Sequence, residues 1–437
     1  MGKSAPHAQD AIELAHALAQ GSLTAEALAE ALIERSVALE PRLKVWACFD
    51  ATGARRRMRA HGQGRPLSGL PFAVKDNIDT EGVPTAYGSP IYAAHVPSAD
   101  AACVALARAA GAWVLGKTAC TEFANMTPCA TRNPWHASHT PGGSSSGSAA
   151  AVAAGLVPLA LGTQTAGSVI RPAAFCGIVG YKPSPRRVPR AGVKANADTL
   201  DEVGVMARSV ADASWFAAVL AGQSSPVRAE PHQPRIAVTL TSREQAMSPA
   251  MAAAVQGAAS RLSAAGASVA PAGRTAAFDA LFDSLFVAQR TVQVYETARA
   301  LAPEWQYRRA ALSAGLRELI AEGSAIRAEV YAAALQTAAT VAAGLDTLFG
   351  AADIVLTAAA IGAAPASRKT TGDPLFNRPW QLLGCPCLTL PGGRDADGLP
   401  LGLQLVARPG DDLRLFAAAA WVERALQSTE ISRARCR

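Results

Sequence analysis

The chain has 437 residues, 50% of them hydrophobic, and carries a formal net charge of +7. That is enough apolar material to bury one large α/β core or two modest ones. No run of about 18 or more strongly apolar residues reads as a membrane span, no apolar leader precedes the first helix pattern, and the basic residues are dispersed without interleaved aromatics, which sets nucleic acid aside as a partner.

In chain order, residues 8–40 read as two amphipathic helices broken at Gly21-Ser22, with Ser22 or Thr24 as a cap. LPFAVK (70–75) reads as a buried strand, 98–110 as a helix from Ser98 to Gly111, and AWVLGK (112–117) as the next strand. Strand, helix and strand in alternation point to an α/β sheet with crossovers. Residues 124–146, with Pro128, Pro134, Pro141 and paired glycines, form an irregular loop. A helix of small residues follows at 149–155, then a strand at 157–163, a second Gly-Ser loop and a helix at 208–221. Residues 224–235 are the best linker candidate, dividing a single domain of 1–437 into halves of 8–223 and 235–430.

The second half predicts strands at 235–240 and 267–270 around a helix at 248–265. An Ala-rich helical region spans 276–345, followed by strands at 353–357, 386–391 and 399–407 and a last helix at 411–426. The helical region is open to three roles: a cap on the sheet, a lid, or an oligomer surface, with a homodimer among the options. Eight cysteines are scattered: Cys48, Cys103, Cys120, Cys129, Cys176, Cys385, Cys387 and Cys436. None has CxxC spacing, and most sit among Ala, Val and Leu, as buried thiols in a reducing compartment do. A soluble cytoplasmic protein without metal or cofactor is the expectation.

The residues that carry chemistry cluster between Pro141 and Pro183. Two Gly-Ser sites, Gly143-Ser144 and Gly167-Ser168, lie 24 residues apart. Ser168 follows small residues that allow a carbonyl close to the backbone, and nearby N–H groups suit an oxyanion; a helix cap is the plainer role for it. Ser144 opens a run of hydroxyls after Pro141-Gly142-Gly143, readable as a cap cluster or as part of a site. Of the 41 basic residues only seven are lysines. Lys75 stands in an apolar strand pattern, where burial favours the neutral amine. A neutral lysine draws a proton from a serine hydroxyl, and a second serine between them relays it.

The blocks PFAVKDNIDTEGVPTAYGS, NPWHASHTPGGSSSGSAAAVAAG, LGTQTAGSVIRPAAFCGIVGYKPS and GCPCLTLPGG, followed by GLPLGLQLVARPGDD, resemble the amidase signature family over residues 8–430. The resemblance implies a large central mixed β-sheet covered by helices on both faces, and hydrolysis of a small-molecule amide through a Ser-cisSer-Lys triad. Matched by motif, Ser168 is the nucleophile, Ser144 the bridging serine and Lys75 the base. The backbone N–H groups of Thr165, Ala166, Gly167 and Ser168 would form the oxyanion hole, with a cis peptide at or beside Gly143–Ser144. Gln164 stands where many relatives have Asp, and Ala166 where they have Gly. The SVIR segment looks like the malonamidase-type branch, which would give Arg171, with Gly143, a substrate-binding role; Arg171 as a structural tie for the glycine-rich loop is the competing expectation.

Two other readings compete. A glutamine-hydrolysing A subunit of a tRNA-dependent amidotransferase belongs to the same family. Gly143-Ser144-Ser145-Ser146-Gly147 formally fits the G-x-S-x-G of a Ser-His-Asp α/β-hydrolase, which needs a strand before the elbow and a later histidine, for which His232 is the one available. His136 and His139 lack metal-site spacing and read as loop hydrogen-bonding groups.

Overall fold

Short apolar runs bounded by Gly and Pro are what strands buried on both faces require. Eleven strands form among residues 5–223, 231–239 and 243–427, which the computed structural model describes; most are buried in this way, and the edge strand Ser268–Pro271 is largely exposed. They are β1 (Trp46–Cys48), β2 (Pro71–Lys75), β3 (Trp113–Thr118), β4 (Leu159–Gln164), β5 (Val179–Lys182), β6 (Glu202–Ala207), β7 (Arg235–Val238), β8 (Ser268–Pro271), β9 (Ile354–Ala358), β10 (Cys387–Arg394) and β11 (Pro400–Val406). All belong to one sheet in the order β1-β3-β2-β4-β6-β5-β10-β11-β9-β7-β8. β2 runs parallel to β3 and β4, and β7 to β8 and β9, whereas the strands between are antiparallel. The sheet is therefore mixed, as expected. First-half and second-half strands meet at one seam, where β5 pairs with β10 through Lys182–Cys387, Tyr181–Leu388 and Gly180–Thr389.

Helices cover both faces. Those at Val210–Leu220, Pro249–Ala264 and Asp412–Gln427 pack together on one; Ser146–Ala153 and Ile170–Cys176 pack together on the other. The largest apolar cluster runs from Leu28 and Val45 through Leu161 and Val205 to Leu356, Leu403 and Val422.

Most element expectations hold within a residue or two. Thr24 is the cap, its Oγ1 accepting from Ala27 N at 3.1 Å. The expected helix at 98–110 instead starts at Ala102. Asp79 O takes Ala101 N at 2.9 Å and Asp100 Oδ1 takes Glu81 N at 2.8 Å, holding the chain extended before the helix. The small-residue helix begins at Ser146 rather than 149. Helices Ala276–Ala300, Ala302–Arg308, Ala314–Ala325 and Ala328–Ala343 fill the expected Ala-rich region. Of the linker candidate, 224–230 lie outside the described residues, as do Leu240 and Cys436.

Candidate active site

Lys75 ends β2 near the middle of the first-half strands, with no solvent exposure. Its Nζ donates to Ser144 Oγ at 2.7 Å, Thr163 Oγ1 at 2.7 Å and Thr163 O at 3.3 Å. Thr163 lies on β4, the parallel neighbour of β2, and its Oγ1 also accepts from Asn77 Nδ2 at 3.0 Å. All three acceptors around Nζ are uncharged. Burial without a carboxylate in contact lowers the Lys75 ammonium to about 8.

Ser144 is presented by the loop that leads into the small-residue helix. Gly142 has φ +81°, and a Cβ there would lie 2.7 Å from Pro172 Cα, so only glycine fits. The Gly143–Ser144 peptide is cis. Ser146 Oγ donates to Gly142 O at 2.6 Å, and Ser145 Oγ donates to Thr163 O at 3.2 Å. The serine run thus divides: Ser145 and Ser146 pin the loop, while Ser144 meets the lysine.

Ser168 lies between β4 and the helix Ile170–Cys176 and is 8% exposed, against 2% for Ser144. Ser145 N donates to Ser168 O at 3.3 Å, which brings the two serine loops side by side. Gln164 Oε1 accepts from Val169 N at 2.9 Å and Ile170 N at 3.0 Å, closing the turn. Its Nε2 donates to Gln381 Oε1 at 2.9 Å, a bond that a carboxylate in its place would not make. Thr165 Oγ1 donates to buried Asp201 at 2.6 Å, and Gln289 Nε2 reaches Thr165 O at 3.2 Å from the helix Ala276–Ala300. The N–H groups of Thr165, Ala166, Gly167 and Ser168 donate to no other described residue.

Arg171 is buried. Its Nε donates to Thr371 O at 2.8 Å and its Nη2 to Gly143 O at 2.7 Å, leaving Nη1 without a partner. Burial lowers its guanidinium to about 10. The Gly143 carbonyl is therefore taken up by Arg171. Thr163, Asp201, Gln289, Thr371 and Gln381 were not singled out from sequence; Thr163 lies inside the LGTQTAGS block, and no local motif marks the other four. Arg57, in the basic run Arg55–Arg57, donates from Nε to Val114 O at 2.8 Å.

The loop 119–145 holds no strand, so the G-x-S-x-G segment lacks the strand an α/β-hydrolase elbow needs. His136 and His139 meet edge to face at 4.6 Å and share Ser138 Oγ, and no group of three or more His, Cys, Asp or Glu side chains able to hold a metal occurs among the described residues. A cavity of about 200 Å³ lined by Arg35, Trp135, Ile178 and Arg394 takes in none of Lys75, Ser144, Ser168 and Arg171.

One mixed α/β sheet thus carries a buried lysine–serine contact beside a second glycine-serine loop. A family model described as Amidase matches residues 27–416. The chain belongs to the amidase family, whose members act on the carbon–nitrogen bond of amides. It is 34% identical to the A subunit of the Glutamyl-tRNA(Gln) amidotransferase of Chloroflexus aggregans, over 93% of this chain and 94% of that one. Identity to the same subunit of Roseiflexus sp. is 46%, over 218 residues, an alignment that spans about half of each chain: 47% of this one and 45% of the relative. Among solved structures, the peptide amidase of Stenotrophomonas maltophilia superposes with a TM-score of 0.82 at 29% identity, covering 97% of this chain and 98% of that one. A 6-aminohexanoate cyclic dimer hydrolase reaches 0.85 at 27% identity, covering 96% and 97%.

Proposed function

We propose that the protein hydrolyses a small carboxamide to a carboxylate and ammonia through an acyl-enzyme on Ser168. The observation that carries this reading is the 2.7 Å contact between Lys75 Nζ and Ser144 Oγ among uncharged acceptors. With the amine neutral, the same contact runs in reverse: Ser144 gives its proton to Lys75 and takes one from Ser168. Ser168 Oγ bonds to the amide carbon, and the carbonyl electron pair moves onto oxygen. The unengaged N–H groups from Thr165 to Ser168 supply donors for that oxyanion, each worth about 2.7–4 kcal/mol. Collapse breaks the C–N bond, and the proton returns through Ser144 to the leaving nitrogen. Water then repeats the sequence on the ester. Gly143 and Arg171 form the adjoining wall, with Arg171 tying the Ser144 loop to Thr371.

Ser168→Ala should abolish release of ammonia from short amides while circular dichroism stays native; full activity in that variant would sink the scheme. The buried thiols Cys103, Cys120, Cys385 and Cys387, none of them in a disulfide, support a cytoplasmic setting. No helix of the described residues is long and apolar enough to cross a membrane.

The curated relatives favour a second reading, a glutamine-hydrolysing subunit that hands ammonia to a partner. Ammonia release from simple amides by the chain purified alone supports the first reading. Activity confined to glutamine, and only with a co-purifying subunit, supports the second.

A further inference from the structure

Residues 371–378 fold over the loop that carries Ser168. Thr371 accepts from Arg171, and a Cβ on Gly167 would collide with Asn377 Oδ1 and lie 2.9 Å from Pro374 Cβ. Arg378 comes next in the chain, and it differs from Arg171 in one respect. Arg171 donates from two of its nitrogens to Gly143 and Thr371. The Arg378 guanidinium donates to no described residue, and its Nε is buried without a partner. Arg378 is half-buried, and a guanidinium nitrogen withdrawn from water without an acceptor, as its Nε is, calls for one that arrives with a ligand.

The surroundings specify what that ligand carries. Arg171 lies within electrostatic reach of Arg378, and so does Arg290 on the helix Ala276–Ala300. Arg290 is committed to Glu322, toward which both its Nε and Nη2 point. The carboxylate that acts on Arg378 is Asp373, which makes no ion pair with it. The ground beside the nucleophile loop is therefore cationic, with one guanidinium uncommitted.

Asn377 supplies an independent observation. Its Nδ2 donates to Ala359 O at 3.0 Å and Gln404 Oε1 at 2.9 Å, which fixes the orientation of the amide. Its Oδ1 is buried, lacks a partner and faces Gly167. An empty acceptor and an uncommitted cationic donor stand on adjacent residues at one wall of the site.

We propose that Arg378 is the specificity-determining residue of this site, binding the carboxylate of an anionic amide substrate, with the Asn377 acceptor beside it suited to a substrate N–H. The inference rests on the amide-hydrolysis reading for its substrate but not for its subsite. Arg378 takes the charged end of the molecule, and Arg171 stays with the loop it holds.

The test pairs each monoamide of a dicarboxylic acid (malonamate, succinamate, glutaramate) with its neutral counterpart (propionamide, butyramide, valeramide). The ratio of kcat/KM within each pair is measured for wild type, Arg378→Ala and Arg378→Lys. The best anionic amide should be favoured by wild type. Its ratio should fall at least tenfold in Arg378→Ala, mainly through KM, with partial recovery in Arg378→Lys. A merely structural role would lower both members of a pair and leave the ratio in place, which overturns the proposal. Calorimetric titration of wild type and Arg378→Lys with malonate, succinate and glutarate reads the subsite without turnover and does not depend on the alanine variant folding. Wild-type binding of one dicarboxylate, weakened in Arg378→Lys, supports the subsite even if no amide is cleaved, an outcome that would defeat the hydrolysis reading instead. Wild type that binds none of the three and shows no preference for anionic amides overturns it.

Discussion

Lys75 and Lys117 stand on the neighbouring parallel strands β2 and β3, both unexposed, and burial brings both ammonium groups down to about 8. Their partners differ. Lys117 Nζ donates to Ile78 O and Thr85 Oγ1, each at 2.6 Å, and lies 3.8 Å from the buried carboxylate of Asp76. Lys75 has hydroxyls and a carbonyl, and one hydroxyl belongs to the serine beside the nucleophile loop. The two amines are lowered alike, so what separates them is the partner: Lys117 faces a buried carboxylate, and Lys75 a hydroxyl that can pass a proton. Burial alone therefore does not mark a base, and the acceptor set does. VKDN spans both sites: Lys75 meets Ser144, Asp76 meets Lys117, and Asn77 holds the Thr163 hydroxyl.

The sharpest way to break this contrast is to remove each amine. Lys75→Ala should lower kcat by about 10²–10⁴-fold with the fold retained. Lys117→Ala should instead cost about 3–5 kcal/mol of stability in denaturant titration, because the Asp76 carboxylate is left buried and unpaired. Matching losses of kcat and stability in the two variants would erase the distinction. Ser144→Ala should reduce turnover less than Lys75→Ala, since water can stand in for a relay but not for a base.

A subtler probe is pH. In the proposed mechanism the neutral amine is the base, so kcat/KM should rise with pH through about 8. Thr163→Val removes an acceptor that favours the ammonium, and so should move that limb to lower pH. Asp76→Asn, which touches the other lysine, should leave the limb where it is; a shift there equal to that of Thr163→Val would show that both amines act as one unit.

The same contrast explains what could be read from sequence. A rare lysine in an apolar strand pattern suggested chemistry, but Lys75, Lys117 and Lys182 are all unexposed on strands. Lysine scarcity was thus a weaker clue than the motifs around Lys75, Ser144 and Ser168, which are local and legible. Strands β2, β3 and β4 were visible as uninterrupted apolar runs. Strands β5 and β6 were missed because Gly180 and Gly204 break the pattern. Both glycines are required by close approach: a Cβ on Gly180 would come within 2.5 Å of Ala173 Cβ, and one on Gly204 within 2.5 Å of Tyr181 O. Gln381 and Thr371 reach the site from 217 and 200 residues away, a distance over which no spacing rule operates.

The β5–β10 seam has a consequence for synthesis. Until Cys387–Thr389 leave the ribosome, Gly180–Lys182 has no strand to its outer side. At about 5–20 residues per second, that edge waits roughly 10–40 s. An unpaired edge recruits stray strands, so the nascent protein is most prone to aggregate while its first-half strands are already made and its second half is still being translated.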